Sequence, residues 1–413
     1  MRTLSSRRPL GLRLMNSVGG ALRAAGLPLL RLDEQALLER AARNTGLADF
    51  GDDWFRAPLR LLLTAFEQEA ALTTLGRLIA RTDVVRLLEN RLRMTDTCRR
   101  HPEIDAGEVR QPIFIIGLPR TGTTILHELL AQDPANRVPM TWEVMHPWPP
   151  PERATYETDA RIAQVERHFS GVDRVIPNFK AMHPMGAKLP QECVAMTAHD
   201  FASMLFSTTH DVPSYQRWLD TADLQAGVRL TPPAARVPAV ALPGWVLKSP
   251  GHLWALDALL AVYPDARIVQ THRDPLKVIA SLTSLITLLR SMASDRIDPA
   301  AIGAEWTVRL ADGLQKATQV RDRLLDSSQV FDMHFNECGG NEIAMVRRIY
   351  AHFGIELAPT AETRMQRFLA ANPKDKHGAH RYTLAPAGLE PVVERRRYAA
   401  YQQRFHIAAE LEE

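Results

Sequence analysis

The sequence predicts an α/β fold in which a central parallel sheet is covered by helices in three layers, with an all-helical extension at the N-terminus. Three observations lead there. Short β-branched apolar runs alternate with longer helical patterns from Pro112 onward, a glycine-bearing loop joins the first such run to a helix, and before Gly107 the apolar residues recur at spacings of three and four. A chain of 413 residues with 46% hydrophobic content has ample material for a large core.

The extension comes first. Residues 1–108 read as helical, with "LDEQALLERAARNTG" stopping at a glycine and similar periodicity in "WFRAPLRLLLTAFEQEA" and "VVRLLENRLRM". Ahead of these, Arg2, Arg7, Arg8, Arg13, Arg23 and Arg31 alternate with Leu, Val and Ala, and no acid precedes Asp33. Such a segment is either a helix packed on the protein surface or an interfacial basic helix, and the residues leave both open. No cleavable leader is expected, since a long apolar stretch and a small-residue cleavage site are lacking.

The main domain is expected over residues 109–413. Its strands are read at Pro112–Gly117, Trp245–Leu247, Ala266–Thr271 and Gln329–Met333, each short enough to be buried on both faces. An insertion spanning about residues 140–242 separates the first two of these runs and carries proline-rich loops ("WPPPE", "LTPPAARVPAVALPG") beside Met, Phe and Trp. That composition suits an apolar acceptor pocket.

Formal net charge is only +3, which does not call for nucleic acid. Cys98, Cys193 and Cys338 are odd in number and widely spaced, so neither a disulfide framework nor a zinc site is expected and a reducing cytoplasm is the expected compartment. No run is long and apolar enough to span a bilayer. Peripheral membrane association and a homo-oligomer mediated by the helical extension both remain open at this stage.

Chemistry concentrates in two places. In "IFIIGLPRTGTT", Gly117 and Gly122 have the spacing of a phosphate-binding loop, so the domain is P-loop-like, but Thr123 stands where an ATPase has lysine. The strand before it and the helix after it aim backbone N–H groups at an anion, and Arg120 adds a charged fork. The second place is "ARIVQTHRDPLKVIASL", where Asp274 is expected to cap a helix with Pro275 at its first position. Arg273 then sits at the carboxyl end of a strand, the usual ligand-binding edge, with Ser281 on the helix that follows.

Together these segments resemble the sulfotransferases that use 3′-phosphoadenosine-5′-phosphosulfate (PAPS), over most of Gln111–Leu389 and in the branch with an Arg-Thr-Gly-Thr-Thr loop and a Pro-x-Glu motif. The resemblance implies that Arg120, Thr121, Gly122, Thr123 and Thr124 hold the 5′-phosphosulfate, while Arg273 and Ser281 hold the 3′-phosphate. "WVLKSPGHLWALDALLAVYPDARIVQTHRDP" is similar to that branch's central segment and puts Lys248 at a strand end beside the sulfuryl group. A late motif in "KHGAHRYTLAPAGL" would bring Lys376, His377 or Arg381 to the 3′-phosphate, and "FDMHFNE" would let Phe335 stack on adenine. "KLPQECVAM" implies Glu192 as general base, with His252 as the competing base. The transfer then yields adenosine 3′,5′-bisphosphate and a sulfated alcohol or phenol, and no metal is expected.

Two other readings compete. A small-molecule kinase would need a lysine after Gly122 and a magnesium carboxylate at a second strand end; Thr123 fails the first requirement and no Asp clearly meets the second. A non-catalytic nucleotide-binding protein would keep the loop without turnover, but Lys248, Glu192, Arg273 and Ser281 are all present.

Overall fold

In the computed structural model, the described residues are 9–27, 29–104, 109–175, 185–225, 244–373 and 383–410. Five parallel strands, β1 (Ile113–Gly117), β2 (Asn136–Arg137), β3 (Gly244–Lys248), β4 (Arg267–His272) and β5 (Val330–His334), lie in the order β2-β3-β1-β4-β5. Four coincide with the expected runs to within two residues. β2 was not expected: two polar residues at a sheet edge leave no alternation to read.

β1 is central and buried at every position. Its successive side chains alternate between the sheet's two faces, so Phe114 and Ile116 join one apolar core while Ile113 and Ile115 join the other. Full burial of one such side chain contributes about 1.5–3 kcal/mol, which explains why the run carries no polar residue. The chain leaves β1 for β2 and β3 on one side and then crosses to β4 and β5 on the other. Connections therefore depart in opposite directions at β1, and the crevice this opens at the carboxyl end of the sheet is where α/β sheets of this kind generally bind ligands.

The N-terminal helices are α1 (Leu10–Ala24), α2 (Glu34–Thr45), α3 (Arg56–Gln68) and α4 (Thr74–Arg100). Asp33 caps α2 by accepting from the Ala36 N–H at 2.9 Å, and Gly46 ends it in the left-handed region at φ 71°. These helices do not form a separate appendage. Leu37, Phe55, Leu62, Phe66 and Leu88 share one buried cluster with Phe114, Leu276 and Trp306 of the sheet domain. At the seam, the Thr73 N–H donates to the Ala293 carbonyl at 2.9 Å. A Cβ added at Gly76 would lie 2.0 Å from that same oxygen, so only glycine permits this approach.

Six further helices position the site: α5 (Thr123–Leu130), α6 (Cys193–Thr197), α7 (Met204–Thr209), α8 (Pro275–Arg290), α9 (Pro299–Leu324) and α10 (Pro391–Arg404). No described helix is long and apolar enough to cross a membrane.

Candidate active site

The loop between β1 and α5 is built by its glycines. Gly117 has φ 132°, and a Cβ there would lie 2.3 Å from Thr271 Oγ1 and 2.6 Å from the Thr271 carbonyl oxygen, so a side chain would push β1 off β4. Gly122 (φ 89°) and Arg120 (φ 67°) also take left-handed conformations, which turn the chain back on itself. The Thr121 hydroxyl points beneath the loop: it bonds the Leu118 carbonyl at 2.6 Å and Thr271 Oγ1 at 2.5 Å, fully buried. What Thr121 can offer a ligand is therefore its backbone. Gly122 caps α5 without a side chain, leaving the first-turn N–H groups and the positive end of the helix dipole facing the crevice.

Beside this helix start stands a buried ion pair. Lys248, at the end of β3 and 2% exposed, donates to Glu192 Oε1 at 2.7 Å and to Thr124 Oγ1 at 3.2 Å. Glu192 occupies the cap position of α6 with extended backbone, and its carboxylate reaches Lys248 beside the loop. Two residues 56 apart in sequence thus meet next to the phosphate-type loop. A cation and a carboxylate at one point can neutralise a leaving group and accept a proton.

On the other side of the loop, Arg273 extends from the end of β4. Its Nη1 donates to the Arg120 carbonyl at 2.9 Å and its plane lies 3.8 Å above the centre of the Phe335 ring. Arg120 in turn donates from Nε to Ser281 Oγ at 3.2 Å. The structure thus gathers Arg120, Arg273, Ser281 and Phe335, with Ser281 bonded to Arg120 rather than to Arg273. The Phe335 face offered for adenine carries the Arg273 guanidinium.

The remaining donors of Arg273 are held by a carboxylate that sequence reading missed. Glu410 accepts from Nε at 2.9 Å and from Nη2 at 2.8 Å, and its own N–H donates to Asp274 Oδ2 at 2.7 Å. Asp274 caps α8 as expected through the Leu276 N–H at 3.1 Å and also binds Arg395 of α10 with both oxygens. Nothing in "HIAAELEE" signals this contact, because the tail returns to the crevice only after α10 has packed. Arg273 donates to two oxygens of Glu410, a forked geometry that a phosphate can also present.

His252 follows β3 in a short 3₁₀ turn. It is buried edge-on to Phe114, with ring centres 5.2 Å apart, and its Nε2 has no hydrogen-bond partner among the described residues. Burial pushes its pKa down to about 4, opposed only by the charge of Glu192, so the ring is neutral at pH 7. It borders a cavity of about 50 Å³ with Cys193, Ser203, Ser249, Trp254 and Arg309, room for a few waters. Lys376, His377 and Arg381 lie outside the described residues.

A larger cavity of about 180 Å³ opens on the opposite side of α6. Ala195 and Ala198 of the α6 segment, Leu205 and Phe206 of α7, and Val144 form one wall. The other wall is Phe66 of α3 with Ile79, Ala80, Val84 and Leu87 of α4, and Asp83, Arg86 and His210 set a few polar groups into a largely apolar lining. The insertion, expected to carry an acceptor pocket, supplies one wall here, and the N-terminal helices together with Leu289, Met292 and Ala293, at and just beyond the end of α8, supply the rest.

The sequence profile described as "Sulfotransferase family" matches residues 112–359, well over half of the chain and every strand of the sheet. The chain belongs to the sulfotransferase family. It is 33% identical to sulfotransferase STF1 from Mycobacterium tuberculosis, with a TM-score of 0.80 over 89% of this chain and 98% of that one. Sulfotransferase STF9 from Mycobacterium avium is 29% identical, with a TM-score of 0.84 over 92% of this chain and 98% of that one. The omega-hydroxy-beta-dihydromenaquinone-9 sulfotransferase Stf3 of Mycobacterium bovis is 25% identical over 325 residues, 68% of this chain and 79% of that relative. This sulfotransferase is therefore an enzyme of sulfuryl transfer, and the crevice at the carboxyl end of its sheet is the place to look for that chemistry.

Proposed function

We propose that this sulfotransferase moves the sulfuryl group of PAPS onto the hydroxyl of a small hydrophobic acceptor and releases adenosine 3′,5′-bisphosphate. The observation that carries the reading is the buried Lys248–Glu192 pair at 2.7 Å, joined to Thr124 at the start of α5. PAPS, when bound, supplies the activated sulfuryl group.

The chain's own residues divide the remaining work. The N–H groups of Thr123 and Thr124 and the side chain of Arg120 bind the 5′ end, while Arg273 takes the 3′-phosphate in place of Glu410. Lys248 and the α5 dipole offset the negative charge that grows on the leaving group. Glu192 removes the acceptor's proton. Of the two candidate bases we assign Glu192, because it touches Lys248 in the crevice, whereas the His252 ring is buried against Phe114 and weakly basic.

The apolar cavity beneath α6 supports a hydrophobic acceptor, and so does the relative whose name specifies a hydroxylated menaquinone derivative. The test is to incubate the enzyme with isotopically labelled PAPS and a panel of isoprenoid, long-chain and phenolic alcohols, reading sulfated products by mass spectrometry. Label in apolar alcohols supports the reading. Transfer only to sugars would overturn the acceptor class, and no use of PAPS with any acceptor would overturn the donor.

A further inference from the structure

We infer that α1 is a docking helix for an anionic lipid surface. The helix is mounted the wrong way round for a water-facing element. Its inward side sets Leu12 and Met15, half-buried, beside small and polar groups: a Cβ added at Gly19 would lie 2.2 Å from Thr74 Oγ1, Asn16 Oδ1 accepts from the Leu75 N–H at 2.9 Å, and Arg23 donates to Thr74 Oγ1 at 3.0 Å. Its outward side carries Leu10, Leu14, Val18 and Leu22, spaced four apart and 78%, 64%, 50% and 36% exposed. Residues at that spacing form one continuous row along a helix. Ser17 and Ala21, also exposed, sit within the same face, which contains no acid. A surface helix in water normally shows the opposite arrangement.

Charge selects the occupant. The first 32 residues hold six arginines and no acidic residue, while the whole chain carries only +3, so the positive charge is concentrated at this end and the remainder is net negative. A second copy of the chain would set one arginine-rich segment against another. An anionic bilayer instead meets the leucine row with acyl chains, and its headgroups answer the net positive charge that the sequence concentrates at this end of the chain. The position fits the cavity as well, because α1 packs on the first turn of α4, and the next turns of α4, Ile79, Ala80 and Val84, wall the apolar cavity. Leu78 on α4 is a further exposed leucine, 43% accessible. The inference stands on this surface alone and holds whatever the donor and acceptor are.

The test is flotation of the full chain with vesicles of phosphatidylcholine alone or with about a third phosphatidylglycerol, for wild type and for L14E/V18E, with light scattering in the absence of lipid. Binding to the anionic vesicles only, weakened by added salt and reduced at least tenfold in L14E/V18E while its melting temperature is unchanged, is the expected result. Binding that survives the double substitution, or no binding to either vesicle, overturns the proposal. So does a dimer in solution that L14E/V18E dissociates without any lipid binding, since the leucine row would then belong to a second copy. Should L14E/V18E fail to fold, Leu14→Ser with Val18→Ser repeats the comparison without adding charge.

Discussion

Replacing Glu192 by Gln removes one negative charge and almost no volume. The amide oxygen can still accept from Lys248 Nζ across the present 2.7 Å, so the lysine keeps a partner. What disappears is the capacity to take a proton. General-base contributions are typically 10²–10⁴-fold, so kcat should fall by at least about 100-fold, a barrier increase of about 2.7 kcal/mol. Lys248 is 2% exposed and would lose its counter-charge, but the Glu192 side chain keeps 20% exposure to solvent. Loss of stability should therefore stay at about 1–3 kcal/mol, below the range for a fully buried broken pair. The assay is single-turnover sulfation at saturating PAPS, alongside thermal unfolding and adenosine 3′,5′-bisphosphate binding. Turnover within about threefold of wild type, with the fold and nucleotide binding intact, would refute the assignment of the base, since it would fall well short of the usual general-base effect.

Three further outcomes follow from the same geometry. Glu410→Gln frees Arg273 from a competing carboxylate and should tighten adenosine 3′,5′-bisphosphate binding by about three- to tenfold, on the usual size of a charged pair that keeps some solvent contact, here 17% exposure on each side; calorimetry showing weaker binding would mean that Glu410 supports the site. The pKa of His252 is about 4 in the fold against about 6.5 in the unfolded chain, so the unfolded state takes up the proton first as pH falls; relative to His252→Gln, wild type should lose on the order of 3 kcal/mol between pH 6.5 and 4, and parallel denaturation profiles would contradict this. Ala80→Trp should fill the cavity between α4 and α7, raising the acceptor KM at least about tenfold with nucleotide binding unchanged; an unaltered KM would place the acceptor elsewhere.

Much of the fold was legible because the signals are local. Buried strands such as "IFIIG" and "IVQTH" are short apolar or β-branched runs, the loop is punctuated by Gly117 and Gly122 at two of its left-handed positions, and Asp274-Pro275 announces α8. Asp33 and Gly46 bound α2 in the same way. Contacts between distant segments were less legible. Arg273 at the end of β4 and Ser281 on α8 both lie beside the loop, yet Ser281 bonds Arg120 across 161 positions, a choice set by how α8 leans on the loop. Glu410 reaches Arg273 across 137 positions and depends on Arg395 and Asp274 locking α10 in place. The α4 wall of the apolar cavity was invisible for the same reason: Ile79, Ala80 and Val84 read as ordinary core periodicity until Gly76 brings α4 onto Ala293.

The most direct test of a PAPS site is calorimetric binding of adenosine 3′,5′-bisphosphate, with ATP and ADP as comparators, to wild type and Arg273→Ala. Loss of a charge-assisted phosphate contact should weaken adenosine 3′,5′-bisphosphate about 10- to 100-fold in the variant while ATP and ADP bind poorly to both proteins. Equal affinity for ATP, unchanged by Arg273→Ala, would contradict the assignment.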